Sequence, residues 1–166
     1  RRLSRCYAPS GDAGSSNLSN ATAIGYQAYV ESSNSLVLGS INGKNGASAN
    51  TNVGIGTTSP NARLDVNGTF RLGDDGTKMD NMIAASVNPG SFTVSANSSQ
   101  VVSFTVSNAP MGSAVTLSPN SDLGDGLIVN TAWVSSAGTV KARFQNITGS
   151  DKSIDMNFHI VVIKKN

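Results

Sequence analysis

The chain has 166 residues, a net charge of +2, 13% charged and 5% aromatic residues, and Gly, Ser, Asn and Thr recurring throughout. That composition suits short strands and β-turns rather than the Lys-, Glu- and Leu-rich helices of most cytosolic enzymes. It excludes a basic stripe with interleaved aromatics for nucleic acid, and no apolar run is long enough to span or insert into a membrane.

The hydrophobic fraction of 38% is too high for simple disorder, yet the large apolar residues are scattered in short runs. Burial must therefore come from repetition or from neighbouring chains. Residues 1–18 open on Arg1-Arg2-Leu3-Ser4-Arg5, with neither a Met nor a signal-peptide core, and are expected to be the N-terminal segment of a truncated stalk. The lone Cys6 cannot form an internal disulfide, and no Cys/His spacing suits zinc.

Residues 19–57 contain an internal repeat. Asn20-Ala21-Thr22-Ala23-Ile24-Gly25 is answered by Asn34-Ser35-Leu36-Val37-Leu38-Gly39, fourteen positions on. A looser third copy, Asn52-Val53-Gly54-Ile55-Gly56, follows the insertion 40–46. Apolar residues alternate with small ones in each copy and Gly closes it, which predicts stacked parallel strands about 4.8 Å apart. Three coils bury too little surface alone, so association of identical chains about an axis is expected.

These residues resemble the head repeats of trimeric autotransporter adhesins, and the resemblance implies a trimeric, left-handed parallel β-roll. Residues 58–83 are expected to be a connector, with a strand in which Leu64 and Val66 face inward, followed by a hairpin turning at Asp74-Asp75-Gly76-Thr77. The stretch from Asn52 to Thr69 is similar to a segment common in phage tail fibres, where it often precedes an interwoven trimeric region or a chaperone domain.

Residues 84–166 carry strands of ordinary length with one wet face each. Val102, Phe104 and Val106 alternate with Ser103 and Thr105, and Val140, Ala142 and Phe144 with Lys141, Arg143 and Gln145. Val115 and Leu117, Leu127 to Trp133 and Met156 to Ile163 supply more, predicting an antiparallel, jelly-roll-like sandwich of six to eight strands. In the last strand Phe158, Ile160 and Val162 should face the core, while Val161 and Ile163 point the other way, as in a central strand or one packed on another subunit. The block is similar to β-sandwich tips of phage fibres, most clearly over Ala132 to Val140. Asn166 is expected to lie near the natural end.

No catalytic constellation emerges. His159 is the sole histidine and sits in a strand pattern, Glu31 is the sole glutamate, and no nucleophile elbow is present. Asp122-Leu123-Gly124-Asp125-Gly126 lacks the ligand spacing of a calcium loop, and Gly54-Ile55-Gly56 lacks the helix of a phosphate loop. No metal or cofactor is expected. Trp133 reads as a core residue, with a glycan-stacking platform as its alternative.

The fold expected is therefore all-β, a trimeric β-roll and interwoven stalk followed by a sandwich tip. The resemblances imply a non-enzymatic homotrimer on a virion tail fibre or extracellular surface, attaching a phage or phage-like particle to a host-cell receptor, with a surface glycan among the candidates. The alternatives are a cellular trimeric adhesin and a purely structural trimerisation clamp. Candidate receptor-binding residues, chosen from turn position, are Asn120, Asp122, Asp125, Trp133, Ser135, Ser136 and Asp151.

Overall fold

The computed structural model describes residues 18–165 and divides into two compact units, Arg1–Gly68 and Thr69–Asn166. The expectations for residues 1–17, Cys6 and Asn166 lie outside the described residues. Every regular element among the described residues is a β-strand.

In the first unit, β1 (Ala21–Ile24) and β2 (Ser35–Leu38) pair in parallel, with Ala21 opposite Ser35 and Ile24 opposite Leu38. The pairing offset is the fourteen-residue repeat itself. Period-two alternation then sorts the side chains. Ala21, Ala23, Ser35 and Val37 are half-buried, whereas Ile24, Leu36 and Leu38 share the opposite face and stay 55%, 59% and 45% exposed. The small residues thus turn inward and the large ones outward. Among the described residues of this unit, the buried apolar ones are Ala28, Val30 and Ala47.

The insertion after β2 folds back on the coil. Gly43 N–H donates to the Ala47 carbonyl, the Gln27 amide donates to the Gly46 carbonyl, and Lys44 meets Glu31 at 2.9 Å. The third copy departs from the expected stacking. β3 (Val53–Ile55) takes its parallel partner from β4 (Leu64–Val66) of the connector rather than from β2. The chain between them turns at Pro60 after only eight residues, so β4 reaches β3 first, while Thr51 tethers to Ser40 through backbone and hydroxyl hydrogen bonds. Leu64, expected to face inward, is 59% exposed.

The second unit opens with Phe70 and Met79 exchanging backbone hydrogen bonds across the Asp74–Thr77 turn. Eight strands follow: β5 (Met79–Val87), β6 (Phe92–Val94), β7 (Ser99–Thr105), β8 (Ala114–Pro119), β9 (Leu127–Ser136), β10 (Thr139–Asn146), β11 (Lys152–Ile154) and β12 (Phe158–Lys165). They form antiparallel sheets in the orders β5-β12-β8 and β7-β10-β9, with a short β6-β11 ribbon.

The two larger sheets face each other across one core. Phe104, Val140, Ala142 and Phe144 come from one sheet and Phe158, Ile160 and Val162 from the other, and all seven are fully buried. Phe158 meets Phe104 and Phe144 edge-on, with ring centroids 5.3 and 5.4 Å apart. Edge-to-face pairing of this kind adds about 0.5–1.5 kcal/mol per pair beyond the area buried. β12 is the central strand of its sheet, one of the two positions expected for it.

Three expectations change here. The last strand begins at Phe158 rather than Met156, because Lys152–Ile154 pairs separately with Phe92–Val94. Ser135 and Ser136 end β9 instead of lying in a loop. Trp133 is not a core residue: the core side of β9 near it is taken by Ala132 and Val134, opposite buried Ala142 and Val140.

Candidate functional site

Strand directions sort the loops of the second unit into two ends. The chain enters at the start of β5, and that end also carries the β7–β8 loop and the β9–β10 turn. The opposite end gathers the segments 88–91, 95–98, 120–126, 147–151 and 155–157. Asn120, Asp122, Asp125 and Asp151 therefore share the far end. Ser135 and Ser136 are at the entry end, and Trp133 stands on a sheet face.

One buried side chain organises the far end. Asn146, 1% exposed, donates its amide to the carbonyls of Val94, Ser95 and Ser150 at 3.0, 3.2 and 2.8 Å. Its oxygen accepts from the Thr148 N–H at 2.9 Å and hydroxyl at 2.7 Å. Asp151 accepts from the Ala96 N–H at 2.9 Å, and the Asn97 N–H donates to the Thr148 carbonyl. Nothing local in the sequence marks Asn146 for this role, since Val94 and Ser95 lie some fifty positions away.

The 120–126 loop is held by local hydrogen bonds and by others to distant segments of the chain. Asp122 accepts from the Gly124 N–H, Asn120 N–H donates to the Asn157 carbonyl, and Ile147 N–H donates to the Gly126 carbonyl. Nearby, Asp155 receives Asn88 and Ser91 on its two oxygens, each at 3.1 Å. The Asp125 side chain is exposed. The loops are thus braced from beneath, while their outer edge offers carboxylate and amide groups suited to hydrogen-bonded recognition. Among the described residues, no three His, Cys, Asp or Glu side chains converge to hold a metal.

Trp133 occupies different surroundings. It is half-buried on the outer face of the β7-β10-β9 sheet, with Lys141 opposite it and Ser103 beyond. In the next row Arg143 stands between Thr131 and Val101. Sequence alternation read Lys141 and Arg143 correctly as a wet face but did not bring Trp133 to it. His159 lies on the exposed face of β12, between Ser86 and Ser118.

In the first unit the Glu31 hydrogen bond, and then its charge, hold the Lys44 ammonium above its ordinary value. Compared with protein-family models, curated proteins and solved structures, the chain matches none.

Proposed function

We propose that the chain is part of a non-enzymatic homotrimeric fibre protein that attaches a phage or phage-like particle to a host-cell surface. The observation that carries this reading is the outward placement of Ile24, Leu36 and Leu38 on one face of a coil whose inward residues are small. Fully burying a Leu or Ile side chain is worth about 1.5–3 kcal/mol, so a face of three such residues favours cover by further copies. Ile55 and Leu64, 55% and 59% exposed on the paired β3 and β4, extend the same demand.

In this reading the first unit joins the copies and the second supplies recognition, on a virion tail fibre or another extracellular surface. Three identical sites combine weak contacts into firm attachment. The braced loops holding Asn120, Asp122, Asp125 and Asp151 support the recognition role.

A second reading is favoured by the outer face of the β5-β12-β8 sheet. Met82, Ala84, Ala114, Thr116, Val161 and Ile163 pair across that face without a charge among them, as a surface covered by another copy requires. On that basis the second unit is a trimerisation clamp. Labelled chain applied to panels of bacterial cells separates the two: saturable binding to a cell type supports attachment, and a trimer that binds none supports the clamp.

A further inference from the structure

Two irregularities in β9 decide what Trp133 faces. Leu127 and Val129 point toward the core, and unbroken alternation would send Thr131 and Trp133 the same way. Between Val129 and Thr131, however, the pairing with β10 skips Asn130, so the phase inverts and Ala132 and Val134 turn inward instead. A second skip at Ser135 closes the inverted segment. Bulges re-aim side chains in this way and cluster beside functional sites.

The inverted segment delivers the chain's single tryptophan to a face already holding Lys141 and Arg143. The β7, β9 and β10 residues on that face are otherwise uncharged, with Ser103 and Thr131 beside the cations and Val101 38% exposed. Among the described residues neither cation is within ion-pair distance of a carboxylate, and Arg143 donates only to the Ser99 hydroxyl, at 3.3 Å. The face therefore combines an indole, two cations without anionic partners and a fringe of hydroxyls.

We infer that this face binds an acidic glycan, with Trp133 as the surface on which a sugar ring stacks and Lys141 and Arg143 as partners for its carboxylate or sulfate groups. Charge complementarity selects this occupant: the same face of a second copy would set Lys141 and Arg143 against like charge, and an uncharged surface would leave them desolvated and unpaired. A neutral glycan would use the indole and leave both cations idle. The inference deepens the attachment reading and rests on it for its setting.

Trp133 reports on the site directly, because no other tryptophan contributes to the emission. The full chain is titrated with polygalacturonate oligomers, heparin oligosaccharides and neutral dextran while its fluorescence is followed. A saturable change is expected with an acidic probe and none with dextran, and it should weaken as salt rises, since exposed charges are screened over about 8–10 Å at physiological ionic strength. Lys141→Gln combined with Arg143→Gln should lower affinity at least about tenfold, the scale of losing charge-assisted hydrogen bonds, while the far-ultraviolet spectrum and melting temperature stay unchanged. Lys141→Arg should retain binding.

No change with either acidic probe, an equal response to dextran, or unaltered binding by the double variant would overturn the inference. So would an emission change driven by protein concentration alone, which would assign the face to self-association. Cell binding that survives the double variant overturns this site and leaves attachment standing. Acidic-glycan binding without cell binding does the reverse.

Discussion

The Asn20 side-chain amide donates to the Asn34 side-chain oxygen at 3.1 Å, joining equivalent positions of successive coils, and both residues hold left-handed backbone, with φ of 52° and 58°. Asn tolerates that conformation better than other residues with a Cβ, and its amide can both donate and accept along a stack. The first two copies of the repeat thus use one residue type to bend the chain and to tie one bend to the next.

Replacing Asn34 tests both roles. Asn34→Ala is expected to cost about 1–2 kcal/mol from the left-handed backbone and the lost hydrogen bond together. Asn34→Gly should cost less, because it keeps the backbone and loses only the amide. Urea midpoints at one fixed protein concentration check the order.

Gly39 and Gly43 separate backbone strain from crowding. Their φ values are 82° and 80°, but a Cβ on Gly39 would overlap the Thr51 side chain, whereas nothing lies within 4 Å of one on Gly43. Gly43→Ala should cost about 1 kcal/mol, the penalty of left-handed backbone alone. Gly39→Ala should cost measurably more in the same assay, with Thr51→Ser recovering part of the difference.

Asn146 is the residue on which the far-end loops depend. Asn146→Ala is expected to destabilise by about 2–4 kcal/mol, because it leaves buried carbonyls and an N–H without partners. Asn146→Asp has the same shape but turns only acceptors toward three carbonyls, so it should be no better tolerated. Thermal melts of the three proteins, with hydrogen exchange at Ala96, Asn97 and Thr148, give the comparison.

Much of the architecture was legible because it is local. The fourteen-residue spacing is also the β1-to-β2 register, so reading the repeat read the pairing. Phe158, Ile160 and Val162 on one face and Val161 and Ile163 on the other marked β12 as a central strand or one packed on another subunit, and it is central in its sheet. The three-residue strands β6 and β11 were not legible, since they are too short for a pattern and pair across about sixty residues of chain. Trp133 was misplaced for a related reason: a single unpaired residue, Asn130, reverses the phase of β9, and no local pattern marks it. Of the candidate recognition residues, those at turns near β8 and β10 share one end, whereas Ser135 and Ser136 do not, because strand direction rather than turn chemistry decides which loops meet.

The central claim is that the outward Ile24, Leu36 and Leu38 are covered by further copies of the chain. Light scattering on the purified protein measures this most directly. The account predicts a mass three times the 17.0 kDa of one chain, falling toward a single chain when Leu36 and Leu38 are both replaced by Gln. A native protein that remains at 17.0 kDa throughout the micromolar range would contradict it.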